Sequence, residues 1–154
     1  MNKRSILFSL AALLATVVVC LAADVNMGTW KLNEAKSKIS PGAPKNTTVV
    51  YEAAGDSIKV TVEGVDAEGK PTHNEWTGKF DGKDYAVTGD PTSDMRAYKQ
   101  VNDHTLDLTV KKGDKVTATG KIVVAKDGKS RTVTLSGTDA KGKKMTSTAD
   151  YDKQ

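Results

Sequence analysis

Cysteine and histidine, which supply many of the nucleophiles and metal ligands of proteins, are scarce in this chain of 154 residues. There is one cysteine, Cys20, and there are two histidines, His73 and His104. A single cysteine allows no disulfide within the chain, so burial of apolar side chains must stabilise the fold. A Gly-x-Ser-x-Gly segment, which carries the nucleophile of many hydrolases, is also missing. We therefore predict no enzymatic activity, no catalytic residue and no cofactor.

One pair of side chains has a spacing that suits metal ligands. His73 and Glu75 are two positions apart, so they share a face of any strand that contains them. Zinc sites use three or four protein ligands, and His104 is distant in sequence, in a predicted turn. Alternation also places His73 and Glu75 on the outward face of their strand. We therefore predict no metal site.

Arginine is scarce as well. After the first 22 residues the chain has only Arg96 and Arg131, and its lysines are interspersed with Asp and Glu. A nucleic-acid surface combines a basic patch with arginines and aromatic side chains. The formal net charge of +4 also falls by two when Lys3 and Arg4 are left out. We predict a mixed, solvated surface that does not bind nucleic acid.

The first 22 residues have the features of a cleaved signal peptide. Lys3 and Arg4 precede an apolar run over residues 6–19, and residues 20–22 end it with a small-x-small pattern. The run is marginally short for a membrane span, which needs about 20 apolar residues. We predict that residues 1–22 are removed and that the protein is secreted or periplasmic.

The remaining chain, residues 23–154, has the length of one domain. We expect this domain to be monomeric and not to span a membrane. Lipidation of Cys20 is the alternative to cleavage after Ala22, because a cysteine at this place can carry the lipid of a bacterial lipoprotein.

Alternation of apolar and polar residues with a period of two dominates the chain after residue 46. Ile58, Val60 and Val62, for example, alternate with Lys59 and Thr61. Short segments with Gly, Asn or Asp separate such runs, as tight hairpin turns require. We predict strands at 28–33, 47–53, 57–65, 71–80, 83–89, 96–101, 105–111, 115–126, 130–138 and 143–152.

A series of antiparallel strands with one apolar face has two exposed edges unless the sheet closes on itself. The predicted fold is therefore all-β: an antiparallel up-and-down (meander) β-barrel of about eight to ten strands. Trp30, on the first strand, is predicted to plug one end of this barrel. Gly78 shares a strand face with Trp76 and Phe80, and we expect space for a ligand to open beside it. The predicted cavity-lining residues are Trp76, Phe80, Ile58, Leu108, Ile122 and Met145.

The segment Gly28-Thr29-Trp30-Lys31-Leu32 resembles the first strand of the calycins, the superfamily of lipocalins and fatty-acid-binding proteins. The chain is also similar, through residues 32–38 and 151–154, to small secreted bacterial proteins described as lipocalin-like. The resemblance implies a calycin-like barrel with a ligand in its interior.

Two departures from those families concern arginine. Fatty-acid-binding proteins hold a carboxylate with an arginine two residues before the last-strand tyrosine, and that position is Ala149 here. Lipocalins stack an arginine over the first-strand tryptophan. Arg131 is the only arginine late in this chain, and we expect it on the outward face. The sequence therefore does not predict the anion site of these families.

Two functions are compatible with these features. The first is binding of a small, largely apolar molecule inside the barrel. The second is a protein-facing module, an inhibitor or an envelope interaction domain, that uses loops at one barrel end. Residues 40–46 and 89–95 are the predicted contact loops for this second function, and the partner protein is unknown.

Overall fold

A computed structural model describes residues 24–138 and 141–154, so the predicted signal peptide and Cys20 lie outside the described residues. Ten strands follow one another along the chain. They are β1 (Gly28–Leu32), β2 (Lys45–Ala54), β3 (Ser57–Val65), β4 (Pro71–Gly78), β5 (Tyr85–Thr88), β6 (Met95–Asn102), β7 (Thr105–Lys112), β8 (Lys115–Val124), β9 (Ser130–Thr138) and β10 (Lys144–Lys153). The two described ranges contain no helix, and therefore none long and apolar enough to cross a membrane.

Each strand pairs antiparallel with its neighbours in sequence, and β1 also pairs with β10, which closes the barrel. The closure is visible in register at Trp30, which lies opposite Lys153 of β10 and Val49 of β2. The pairing of β1 with both β2 and β10 joins the two ends of the sheet, which is the benefit expected of a closed barrel. The prediction of an antiparallel meander barrel is confirmed, with ten strands.

The predicted β4 is longer than the observed one, because the residues after Gly78 pair with β6 instead of continuing the strand. Residues 79–84 leave β4 and run beside β6, where the Gly82 N–H donates to the Tyr98 carbonyl (2.9 Å). The Gln100 N–H donates to the Phe80 carbonyl at 3.0 Å. This connection completes the barrel wall where β5, only four residues long, is too short to do so.

The two ends of the barrel differ in how well the inward side chains are buried. The end that holds both termini of the described chain also holds the β2–β3, β4–β5, β6–β7 and β8–β9 connections. There the inward residues Trp30, Leu106, Ile122 and Tyr151 are all buried. We call it the closed end.

At the opposite end, the inward side chains of β7–β10 are only half-buried. They share strand faces with the buried residues and lie two to six positions from them along each strand. Two rows cross these strands in register: Leu108, Gly120, Leu135 and Ser147, and then Val110, Ala118, Gly137 and Met145. Solvent therefore reaches the interior from this open end. We call Leu108, Val110, Ala118, Leu135 and Met145 the apolar wall.

Candidate functional site

Trp30 lies at the centre of the closed end. Its side chain is 0% exposed, and its indole Nε1 donates to the carbonyl of Asn26 at 2.8 Å. Asn26 belongs to a short turn before β1, in which its backbone N–H and side-chain amide both donate to Asp24. Lys153 Nζ lies 5.1 Å from the centre of the Trp30 ring and donates to the Val25 carbonyl. The first and last described segments of the chain thus meet over one indole.

Arg131 also lies at the closed end, so the expectation that it faces outward was wrong. It is 3% exposed, and its guanidinium carbon lies 4.7 Å from the ring centre of Trp30. The rings of Tyr51 and Tyr151 are each 4.9 Å away. Arg131 and Val133 are two residues apart on β9, so their side chains point to the same side of the sheet. Val133 packs against the core, and Arg131 therefore also points inward. It has the place that the lipocalin resemblance implies for the stacked arginine.

The charge of Arg131 has no carboxylate partner within the described residues. Two of its nitrogens, Nε and Nη1, are buried without a hydrogen-bond partner there. A bare cation in an apolar interior would be strongly unfavourable. Three ring faces within 5 Å stabilise a desolvated guanidinium through cation–π attraction. At the closed end, the buried guanidinium is therefore enclosed by aromatic rings.

Two of the buried tyrosines, Tyr98 and Tyr151, have raised pKa values. Burial raises the pKa of Tyr151 to about 12, against an opposing effect of the Arg131 charge. Burial likewise raises the pKa of Tyr98 far above its ordinary range, although Arg96 and Arg131 act in the opposite direction.

This sets an expected alkaline dependence of stability. An unfolded tyrosine ionises near pH 10, whereas Tyr151 in the barrel keeps its proton to about pH 12. Between those values the unfolded state binds fewer protons, so the free energy of unfolding falls as pH rises, by about 1.4 kcal/mol per pH unit for this group. Below pH 10 the contribution is fully present. Tyrosinate absorbance and circular dichroism, followed together in an alkaline titration, should change together for Tyr98 and Tyr151. Complete ionisation of the four tyrosines near pH 10 in a still-folded barrel would contradict this assignment.

An aromatic cluster fills the middle of the barrel on the β2–β6 side. The Trp76 ring is 1% exposed and lies 4.7 Å from Tyr98 and 5.7 Å from Tyr85, both edge-on. A Cβ added at Gly78 would lie 2.5 Å from the Tyr85 ring. The prediction that space opens beside Gly78 was therefore wrong, because aromatic rings occupy that space.

The six residues predicted to line a cavity fall into three places. Trp76 and Ile122 are buried in the core, and Ile58 and Phe80 are half-buried near the rim of the closed end. Only Leu108 and Met145 lie together on the apolar wall. The wall residues Val110, Ala118 and Leu135 were missed as lining residues, although alternation places them on the same faces as Leu108, Ile122 and Val133.

A buried polar group adjoins the apolar wall, on the β4–β6 side of the open end, where Arg96 lies beside Val110 in register. Arg96 is 8% exposed, and its Nη1 and Nη2 each lie 3.4 Å from Asn74 Oδ1. Its Nη2 also lies 3.5 Å from Asp90 Oδ2. We call Asn74, Asp90 and Arg96 the polar corner. Its residues were not recognised in the sequence, because each is polar and far from the others along the chain.

The carboxylate of the polar corner is fixed by its own loop. Asp90 Oδ2 accepts from Ser93 Oγ (2.5 Å), and Oδ1 accepts from Thr92 N and Oγ1. Burial raises the pKa of Asp90, but these hydrogen bonds and the charge of Arg96 outweigh it, so the net shift is downward. The loop begins at Gly89, with φ of 81° and with His73 O 2.4 Å from where a Cβ would lie, so only glycine fits.

His73 lies on the outer surface, as its alternation predicts. It contacts Glu63 through Nδ1 and Glu75 through Nε2, and the hydrogen bond to Glu63 raises its pKa. Across residues 24–138 and 141–154, no group of three or more His, Cys, Asp or Glu side chains is arranged to hold a metal ion.

Two shallow hollows lie at the surface near the open end. One, of about 310 Å³, is lined by Asp84, Asp94, Met95, Lys111, Gly113 and Asp114. The other, of about 290 Å³, is lined by residues 39–43, 45, 65–67 and 69. Each includes part of one loop predicted to contact a protein, residues 40–46 or 89–95.

Comparison with known proteins identifies the fold but no family. No family model and no curated protein matches the chain. Among solved structures, EF1p2_mFAP2b bound to DFHBI is similar, with a TM-score of 0.51 at 12% identity over 86% of this chain and 97% of that one. A de novo designed fluorescence-activating β-barrel gives a TM-score of 0.47 at 14% identity, with the same coverage. The first likeness shows a calycin-like barrel and nothing beyond the fold.

Proposed function

We propose that this protein binds a small, largely apolar molecule against the apolar wall, inside the open end of the barrel. The observation that carries the proposal is the burial difference between the two ends. At the closed end Trp30, Leu106, Ile122 and Tyr151 are buried, whereas Leu108, Val110, Ala118, Leu135 and Met145 are only half-buried. Inward apolar side chains that water still reaches are typical of a ligand site. The site lies nearer the open end than the predicted cavity around Trp76.

The pattern of side-chain sizes supports this location. In the two rows that cross β7–β10, the large residues alternate with Gly120, Gly137, Ala118 and Ser147. At Gly120 and Gly137 neighbouring strands occupy the place of a side chain, since a Cβ there would lie 2.7 Å from Thr134 O and 2.8 Å from Thr117 O. Ala118 and Ser147 present short side chains beside the larger residues, and each methylene that a ligand buries there contributes about 0.8 kcal/mol. EF1p2_mFAP2b, which has this fold, carries bound DFHBI. That precedent concerns the fold and supports a ligand in such a barrel.

A pair of substitutions one residue apart tests the site. Ala118 points inward on the wall and Thr119 points outward, exposed. We expect Ala118→Leu to fill the ligand space and weaken Nile red binding about tenfold, because overpacking costs about 1–3 kcal/mol. Thr119→Leu, with the same added side chain on the outer face, should leave the affinity within twofold of the native value. Fluorescence titration measures both.

Two results with these variants would contradict a ligand on the apolar wall. Equal loss in both variants would show that the dye binds outside the barrel. Unchanged binding in Ala118→Leu, with the same midpoint of unfolding as the native protein, would place the ligand away from the wall.

The leader supports a further part of the proposal: the barrel acts outside the cytoplasm, as a secreted or periplasmic protein. Mass spectrometry of the protein recovered from the periplasm of an expressing bacterium tests this. We expect a chain that begins at Ala23. A chain recovered only from the cytoplasm with residues 1–22 intact would contradict it.

The protein-facing module is the second candidate, because the two hollows adjoin residues 40–46 and 89–95. Hydrogen exchange separates the functions. A protein partner should protect amides in those two loops, whereas a ligand in the barrel should protect β7–β10. Protection of the loops alone in envelope extract would favour the module.

A further inference from the structure

His73 belongs to a cluster of charged side chains on the outer face of β3 and β4. Its Nδ1 lies 2.5 Å from Glu63 Oε1, directly across the strand pair, and its Nε2 lies 3.5 Å from Glu75 Oε1 on its own strand. Lys59 Nζ lies 2.8 Å from the same Glu75 oxygen. These contacts run without a break from one strand to the other. We call Lys59, Glu63, His73 and Glu75 the histidine cluster.

The geometry of the histidine cluster favours a charged imidazole, because both ring nitrogens of His73 face a carboxylate oxygen. A neutral imidazole has one N–H donor and one acceptor, whereas the imidazolium has two donors. Only the charged form can therefore donate to Glu63 and Glu75 together. The hydrogen bond to Glu63 raises the pKa of His73, and the two carboxylate charges add to this effect against a partial loss of hydration. Loss of the proton leaves one carboxylate without a donor from the ring.

The elements packed around His73 leave Glu63 and Glu75 as the carboxylates that contact the imidazole within the described residues. The residues opposite these two glutamates on the neighbouring strands, Thr48 of β2 and Thr88 of β5, are uncharged. The remaining charged residues nearby are Glu52 of β2, which lies opposite Lys59, Asp90 of the polar corner, and Asp66, Glu68 and Lys70 of the β3–β4 turn. The protonation of His73 is therefore set chiefly by Glu63 and Glu75.

The position of His73 on β4 connects the histidine cluster with the open end. The next residue, Asn74, is 8% exposed, and its Oδ1 lies 3.4 Å from both terminal nitrogens of Arg96. The carbonyl oxygen of His73 lies against Gly89, since a Cβ added there would be 2.4 Å from it. Gly89 begins the loop that contains Asp90. A β4 strand that is fixed at His73 therefore also fixes the polar corner and the start of this loop.

We propose that the histidine cluster is a pH-sensitive clamp, which holds β4 against β3 in mildly acidic medium and loosens the polar-corner side of the open end as the pH rises. The proposal goes beyond ligand binding and applies to the barrel with or without a ligand. A histidine in an unfolded chain titrates near pH 6.5, and the folded chain binds this proton more tightly. The contribution of the clamp is thus fully present below about pH 6.5 and is lost as the pH rises through the higher pKa of folded His73.

An NMR titration of the imidazole signals of the full chain, in about 0.15 M salt, tests the clamp itself. We expect the measured pKa of His73 to lie above the unfolded value and to fall in both Glu63→Gln and Glu75→Gln, with the larger fall in Glu63→Gln. Glu68→Gln, which removes a carboxylate from the turn of the same hairpin, should leave the pKa of His73 unchanged. All three positions are on the outer surface, so the variants keep the fold. A pKa of His73 at or below about 6.5, or one that neither cluster variant lowers, would overturn the proposal.

Amide hydrogen exchange at about pH 5.5 and about pH 8.5, corrected for the intrinsic exchange rates, tests the connection with the open end. Between these values we expect the protection of the Asn74 and Gly89 amides to fall about threefold in the native protein, the effect of one exposed ion pair. His73→Gln, which keeps a polar side chain without the titrating group, should show no such fall, and the β8–β9 amides should be unchanged in both proteins. Constant protection at Asn74 and Gly89 in the native protein, or an equal fall in His73→Gln, would contradict the clamp.

Discussion

Replacing Trp30 with alanine is expected to lower the free energy of unfolding by about 4 kcal/mol, because truncation of a buried tryptophan leaves a large cavity. Trp30 is 0% exposed, and its ring lies against the guanidinium of Arg131. The substitution also removes the indole N–H that donates to the Asn26 carbonyl at 2.8 Å. The turn before β1 and one face of the Arg131 enclosure are lost together.

Chemical denaturation, followed by circular dichroism, measures this effect. Trp30→Phe provides the matched comparison, since it keeps an aromatic face over Arg131 and loses the indole hydrogen bond. We expect Trp30→Phe to cost about 1–2 kcal/mol, less than half the loss in Trp30→Ala. A loss below about 1 kcal/mol in Trp30→Ala would mean that the closed end does not depend on the indole.

The second large effect is expected at Arg131, where size and charge contribute separately. Burying an ion costs several kcal/mol after relaxation. Three cation–π contacts return about 0.5–2 kcal/mol each. These terms roughly cancel, so the main contribution of Arg131 to stability is the volume that it fills between Trp30, Tyr51 and Tyr151. Arg131→Ala should cost about 3 kcal/mol.

Arg131→Met keeps a long, flexible side chain without the charge, and we expect it to remain within about 1.5 kcal/mol of the native protein. Urea denaturation of the native chain and both variants gives the comparison. Equal losses in Arg131→Met and Arg131→Ala would show that the cation–π attraction, and not the filled volume, holds the closed end.

The barrel could be predicted from the sequence because the patterns that specify it are local. Alternation with a period of two and glycine-containing turns recur along the chain, and closure follows from the need to remove sheet edges. All ten predicted strands exist, with shifts of one or a few residues at their ends. The β4–β5 region is the largest departure, since residues 79–84 pair with β6. That pairing depends on the shortness of β5, which is a property of the folded sheet.

The site was predicted less completely, because it depends on the position of each residue along the barrel axis. Alternation tells which face a residue is on, but it does not distinguish Ile122, buried at the closed end, from Ala118, half-exposed four residues earlier. The two arginines show a related difficulty. A charged residue is normally predicted to face solvent, even where alternation places it on an inward face. Arg131 is stabilised inside the barrel by Trp30 and Tyr51, which are distant in sequence.

The difference between the two ends connects stability with function. The closed end combines an enclosed arginine, a buried tryptophan and the termini of the described chain, and it holds the strands in place. At the open end the apolar wall and the polar corner lie side by side, with Arg96 next to Val110 in register. Rigid strands that carry a site position its side chains more accurately than loops do.

Methyl NMR of the full chain during titration with 2-(1-naphthyl)ethanol tests most directly whether the open end binds an apolar molecule. Signals of Leu108, Val110, Leu135 and Met145 report on the interior. Val101 and Val123, which are 51% and 43% exposed, report on the outer surface of β6 and β8. The expected result is a saturable shift of the four interior signals, with the two outer signals unchanged. Shifts confined to the outer valines, or no shift up to the solubility limit of the alcohol, would contradict the binding site.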